Sequence, residues 1–228
     1  MGEDNNDIKD RIYDKSCVCP VCEEKFKFKE IKKGKTIFLE MDLGLRGKFS
    51  PIMPDYYYVI ICDKCGYASI SKTFEKTTNA QIKKIKEKVN KNYKCEKYPD
   101  IYDAKTAIDR YKTALNFCYF KDASFSERAY IVQKIAFIYE DINEKSKALE
   151  YNKYAHNWYK KAYIDEDFPI MGMEEAQFLY NLAYLSYKTG DKEEAKRFIS
   201  KVMIRKDLSS TLKEKVEQFI QVLKEENA

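Results

Sequence analysis

The sequence predicts an α+β fold that is mostly α, a small four-cysteine β module followed by an α-helical array of hairpins. Three observations carry this. Two C-x2-C pairs, Cys19-Pro20-Val21-Cys22 and Cys62-Asp63-Lys64-Cys65, enclose a stretch with strand periodicity. Everything beyond Cys65 reads as helix. Within that part, a set of residues recurs weakly at i, i+4, i+7, the spacing of one helix face: Ala107, Tyr111 and Ala114, then Ala148, Asn152 and Ala155, then Ala195, Ile199 and Val202.

Two cysteines separated by two residues sit on one tight turn, and both thiolates can reach a single cation. Two such turns supply four thiolates, a closed tetrahedral set with no open position. Cys19, Cys22, Cys62 and Cys65 are therefore the expected ligands of one structural Zn2+, and the module is expected to be zinc-ribbon-like. Seven cysteines are present, and two such pairs in a reducing compartment read as metal ligands rather than disulfides. Cys118 reads as a small core residue, and Cys95 has no partner suggested by spacing. Cys17 is a competing thiol beside the first turn, and the two-residue spacing selects Cys19 with Cys22.

In order, residues 1–16 are expected as a mobile N-terminal arm and 17–72 as the zinc-ribbon-like module. Residues 73–98 are expected as a Lys-rich linker helix and 99–228 as the helical domain. Phe26-Lys27-Phe28-Lys29 alternates as a half-buried strand does, and Lys35 to Met41 follows Gly34 as a second. A loop with Gly44, Gly47, Pro51 and Pro54 leads to Tyr56–Ile61 (YYYVII), the strongest strand signal in the chain. Gly66 follows the second cysteine pair, where a positive φ is often needed. From Phe74 to about Asn92, Ile82, Ile85 and Val89 fall at helical spacing; residues 72–97 hold nine Lys and three Glu. Helices are expected near 101–120, 126–142, 145–163, 174–189, 192–205 and 209–225. Asn143 and Gly190 stand at left-handed turns, and Ser126, Asp191 and Ser209 stand at N-caps. Residues 164–173, with three acids, Pro169 and Gly172, form a loop, either a plain connector or one overhanging a groove.

The composition narrows the function. Net charge is +5, and only six of 42 basic residues are Arg. Lys is a point charge that decorates any solvated surface, whereas Arg supplies the fork that reads bases and phosphates. No apolar run approaches a membrane span and the first residues are polar, so a cytoplasmic protein without a membrane partner is expected. An enzyme is not expected. Four thiolates close the metal shell, and the single histidine, His156, lies within a helix among aromatics. Gly34-Lys35-Thr36 lacks the glycine that a phosphate loop places five residues earlier, since Lys29 stands there.

An interaction protein is the expected class, with a protein or peptide partner held by the helical hairpins. Tyr151, Tyr154 and Trp158 share one face and are expected to fill the interface between hairpins. Tyr159 and Tyr163, with Asp165 and Asp167 of the acidic loop, are the expected partner-binding residues. The alternative is a nucleic-acid-associated protein whose contacts include Lys83, Lys84, Lys86 and Lys88.

Gly190-Asp191 between the last helices, with Leu182, Ala183 and Ala195, resembles the tetratricopeptide repeat, at irregular intervals of 41 and 47 residues. Cys19-Pro20-Val21-Cys22, the Pro-containing loop, the aromatic strand, Cys62–Ala68 (CDKCGYA) and Tyr180–Phe198 (YNLAYLSYKTGDKEEAKRF) together resemble a bacterial family, domain of unknown function 2225, over residues 17–206. The resemblance implies a zinc-ribbon-like module joined to a tetratricopeptide-like domain and implies no activity. The chain departs from the family at Glu23, where Gly is common, and in lacking the Pro often found between the second pair of cysteines.

Overall fold

The structure is a computed structural model and describes residues 8–88, 97–206 and 208–225. The fold is mostly α with small antiparallel strand pairs near the N-terminus, as expected. The strands are β1 (Ile12–Val18), β2 (Lys25–Ile31), β3 (Ile37–Met41), β4 (Gly47–Ser50), β5 (Val59–Ile61) and β6 (Ala68–Ile70). The helices are α1 (Asn79–Lys88), α2 (Ala104–Phe120), α3 (Phe125–Asp141), α4 (Lys145–Asp165), α5 (Glu175–Lys188), α6 (Lys192–Met203) and α7 (Ser210–Glu225). The chain divides into two compact units.

The first unit comprises the described parts of Met1–Leu39, Phe49–Ser124 and Phe137–Asn143. Here β1 pairs with β2, placing Cys17 opposite Phe26, and β5 pairs with β6, placing Val59 opposite Ile70. The arm expected over residues 1–16 thus contributes a paired strand from Ile12 onward. Its signal is faint because most of β1 is exposed, so no polar–apolar alternation marks it. The aromatic run Tyr56–Ile61 is strand only from Val59; Pro54–Tyr57 is a 3-10 turn, which the fixed φ of Pro54 at its start favours. Tyr57 leaves the strand to stack on Tyr102, centroids 4.6 Å apart.

Helix α2 begins on an Asp103 cap, whose carboxylate accepts from the Thr106 amide at 2.7 Å. Its inner face packs on the β5–β6 hairpin: Phe117 stands edge-on to Tyr67, Arg110 donates to the Val59 carbonyl, and Tyr111 donates to that of Asp55. Those contacts explain why the compact units do not divide at residue 99, where the sequence suggested a domain boundary. Helix α1 covers the middle of the expected Lys-rich helix. Phe74–Lys76 is a separate 3-10 turn, while Val89, Asn92 and Cys95 lie outside the described residues.

The second unit holds the described parts of Glu40–Lys48, Phe125–Ala136 and Glu144–Ala228. Its core joins Leu179, Tyr180 and Ala183 of α5 to Ala195, Ile199 and Val202 of α6 and Leu212, Val216 and Phe219 of α7. All nine residues of the three i, i+4, i+7 sets are buried in their respective helices. Asn143 and Gly190 take the expected positive φ, 58° and 93°. Asp191 caps α6 and the Ser209 hydroxyl accepts from Leu212. Ser126 is not a cap: it lies inside α3, and its amide and hydroxyl both donate to the Glu166 carboxylate. Residues 166–174 form a connector folded onto this core, with Phe168 against Tyr163 and Phe178 and Ile170 buried.

Segment Glu40–Lys48 is bound along this unit by its backbone. The Tyr180 hydroxyl donates to the Leu43 carbonyl at 2.7 Å and the Lys215 ammonium to that of Met41 at 2.7 Å. Leu43 and Leu45 pack against the core. Gly44 lies so close to Tyr184 that a Cβ would stand 2.8 Å from the ring. Because Tyr184 is itself buried, Gly44→Ala is expected to cost roughly 1–3 kcal/mol, the usual penalty of overpacking. A urea titration checks this, and an unchanged midpoint would show that the segment shifts freely.

Candidate metal centre

Both cysteine pairs sit at the tips of two-stranded hairpins, residues 19–24 between β1 and β2 and residues 62–67 between β5 and β6. The two tips share one hydrogen-bonding plan. The first cysteine's amide donates to the carbonyl five residues on, Cys19 to Glu24 at 3.0 Å and Cys62 to Tyr67 at 2.8 Å. Its carbonyl accepts from the amide four residues on, Glu23 to Cys19 and Gly66 to Cys62, each at 2.9 Å. Its sulfur faces the amide two residues on, Val21 and Lys64, each at 3.4 Å. The fold therefore presents each pair's sulfurs from a closed turn, with amide dipoles aimed at the anion a thiolate would carry.

The tips converge. Cys19 Sγ lies 3.7 Å from Cys65 Sγ and Cys22 Sγ lies 3.7 Å from Cys62 Sγ; all four sulfurs fall within 4.8 Å of one another. Cys19 and Cys62 are fully buried. Four sulfurs so close share protons: the hydrogen bond from Cys19 pulls Cys62 down, and the same contact pushes Cys19 up to about 12. Four thiolates at these distances need a cation among them, and binding one would release protons. The arrangement is compatible with a single metal ion held by sulfur alone. Cys17 is not among the four; its side chain sits on the β1 strand, and burial pushes its thiol up to about 11.

The plan requires a left-handed residue at the fifth position of each tip. Gly66 supplies it at φ 77°, but the first tip uses Glu23 at φ 67°. An L-residue pays roughly 1–2 kcal/mol there. Glu23→Gly is therefore expected to raise stability by about 1 kcal/mol, read as a higher thermal midpoint of the metal-loaded protein; a lower midpoint would contradict it.

The second set of buried polar groups joins His156, Ser186 and Glu194. His156 Nε2 lies 3.1 Å from Ser186 Oγ and 2.8 Å from a Glu194 oxygen, and Ser186 also donates to the Leu182 carbonyl. A serine–histidine–acid relay uses opposite ring nitrogens for the two partners; here both meet the same one. Burial lowers His156 below its usual value, outweighing the attraction of Glu194. Burial pushes Glu194 up, but hydrogen bonds from Lys160 and Ser186 outweigh it and bring it below the usual range. Both groups thus hold fewer protons folded than unfolded, so stability is full above about pH 6.5 and declines as pH falls. His156 acts first, and Glu194 adds its share below its ordinary 4.5. Urea midpoints measured from pH 8 to 4 should fall in that order, and His156→Asn should flatten the neutral part.

The expected partner-binding residues do not come together. Tyr159 is fully buried against Phe178, so it cannot touch a partner. Helix α4 buries Ala148, Asn152, Ala155, Tyr159 and Ala162 as one stripe. That stripe leaves Tyr151, Tyr154 and Trp158 half-buried to exposed, Tyr151 edge-on to Tyr154 and Tyr154 stacked on Trp158, with Tyr154 46% exposed. Tyr159 is therefore a core residue, and Tyr151, Tyr154 and Trp158 are not buried as expected; the alanines decide which face is inward, because only small residues allow close approach there. Tyr163 lines a cleft of about 280 Å³ between α4 and α6, whereas Asp165 and Asp167 are exposed and outside its lining.

Lys83, Lys84, Lys86 and Lys88 are all exposed on α1, around buried Ile85. Lys84 and Lys88 flank Ile85 on one side, Lys86 on the other, and Lys83 lies opposite, so the charge surrounds the helix instead of forming a stripe. Lys84 is tied to Asp122 at 2.6 Å. No helix among the described residues is long and apolar enough to cross a membrane.

The sequence profile of the family described as "Uncharacterized protein conserved in bacteria (DUF2225)" matches residues 12–226. No curated protein and no solved structure matches the chain.

Proposed function

The chain belongs to the bacterial family DUF2225, and from that and the geometry above we propose that it is a non-enzymatic, zinc-binding interaction protein of the cytoplasm. The four-sulfur cluster is the observation that supports this most. A tetrahedron of sulfurs about 2.3 Å from zinc has edges of about 3.8 Å, and two of the sulfur pairs stand at 3.7 Å. Zinc bound this way has no place for water or substrate, so it holds two hairpins together and performs no chemistry. One zinc per chain should be found by metal analysis of protein purified without added metal; iron or no metal in its place would sink the assignment.

The helical unit supports the interaction part. Its α4–α6 cleft combines aromatic walls with cationic side chains and exposed aliphatics, the mixture that anchors protein partners. Affinity capture with the zinc-loaded full chain, followed by reconstitution with the purified partner, tests it. A saturable complex at micromolar or lower concentration is expected, and failure of every captured candidate to reconstitute removes the reading.

A further inference from the structure

We propose that the α4–α6 cleft docks an acidic protein segment that inserts one apolar side chain, a deepening that rests on the interaction reading above. The cleft floor is formed by Tyr163 and Phe198, edge to face with centroids 6.5 Å apart. Lys201 projects over both rings, 5.6 Å from one centroid and 5.7 Å from the other. Around them stand Lys160, Arg197 and the single carboxylate Glu194.

That carboxylate is already committed. One Glu194 oxygen takes the Lys160 ammonium at 2.6 Å; the other takes the Ser186 hydroxyl at 3.0 Å and faces His156 at 2.8 Å. Arg197 reaches it only at 3.8 Å, beyond hydrogen-bond distance, with its side chain 74% exposed. The cleft thus holds three cations, Lys160, Arg197 and Lys201, against one carboxylate. The least compensated charge sits on Arg197, whose ion pair with Glu194 is this long one, and on Lys201, one helical turn apart on α6 and on the same side. Arg197 keeps its planar fork free, the geometry that takes a carboxylate with two parallel hydrogen bonds.

The rim is apolar as well as cationic. Ile164, which lines the cleft, is 80% exposed, and Ile204, the cap residue just past the end of α6, is 79% exposed. An apolar floor of about 280 Å³ holds one side chain of Leu or Phe size. The exposed isoleucines would cover the flanking backbone, and the two cations select acids beside the anchor. A nucleic acid would satisfy the charge but leave Ile164 and Ile204 uncovered, so the combination favours an acidic protein segment.

The test is selection from a random twelve-residue peptide library on the zinc-loaded full chain, followed by fluorescence anisotropy of the enriched peptide. The expected consensus carries two or more Asp or Glu around one Leu, Ile or aromatic residue. Exchanging its acids for amides should weaken binding at least tenfold. Arg197→Glu with Lys201→Glu should do the same with unchanged circular dichroism. A consensus without acids overturns the proposal, as does equal binding to the double variant. Displacement of the peptide by single-stranded oligonucleotide at lower concentration would point to nucleic acid, and concentration-dependent dimerisation abolished by the double variant would point to a second copy; either overturns it. A partner captured by the intact chain and bound equally well by the double variant leaves the interaction reading standing while this cleft fails.

Discussion

Cys62→Ser combined with Cys65→Ser should abolish metal binding and dismantle the hairpin pair while most helicity survives. The β5–β6 ladder holds three residues a side, and two-stranded ribbons are marginal alone in water. Sulfur meets sulfur where the two tips approach, Cys19 with Cys65 and Cys22 with Cys62, each pair at 3.7 Å. Structural zinc contributes roughly 10–16 kcal/mol in small zinc-finger peptides, far more than a two-stranded ribbon could replace. The near-ultraviolet signal of buried Tyr67 and Phe74 should therefore collapse in the double variant and on chelation, while far-ultraviolet ellipticity changes little. Amide exchange should rise most along β1–β2, since Arg110 of α2 still holds the Val59 carbonyl of β5. A double variant with wild-type near-ultraviolet spectrum and exchange would mean that the sulfurs are not what organises this unit.

Tyr159→Ala should be the most damaging single change in the helical unit, costing roughly 3–5 kcal/mol as large core truncations do. Tyr163→Ala, at the half-buried wall of the cleft, should cost roughly 1–2 kcal/mol. Tyr159 offers a second test in the opposite direction. Its hydroxyl is buried with no hydrogen-bond partner among the described residues, and burial, with smaller contributions from Tyr130 and Glu166, pushes its ionisation well above the ordinary value. Removing a polar atom that has lost its water without gaining a partner is favourable, so Tyr159→Phe should raise stability by about 1 kcal/mol. Denaturant midpoints for the three variants decide the matter: an unchanged Tyr159→Ala midpoint would contradict the buried placement, and a destabilised Tyr159→Phe would mean the hydroxyl has a partner.

The four cysteines were legible because a two-residue spacing is a local geometric constraint; any chain that turns tightly between such cysteines presents both sulfurs together. Helix limits were legible for a similar reason, since Asp191, Ser209, Asn143 and Gly190 act on backbone atoms within a few residues of themselves. The sequence could not show which aromatic residues of α4 face inward. Tyr151, Tyr154 and Trp158 satisfy a helical stripe as well as Tyr159 does, and the choice depends on Ala148, Ala155 and Ala162 meeting a neighbouring helix. Nor could it show that Glu40–Lys48 joins the helical unit, since carbonyl groups of a glycine-bearing loop carry no residue-level mark of the distant Tyr180 and Lys215 that bind them. By itself, then, the sequence determined which residues can share a turn, a cap or a helix face, because those relations run over a few bonds. Only tertiary structure decided which face is buried and which cations are least compensated by a carboxylate, because both depend on partners that the chain brings together from far along its length.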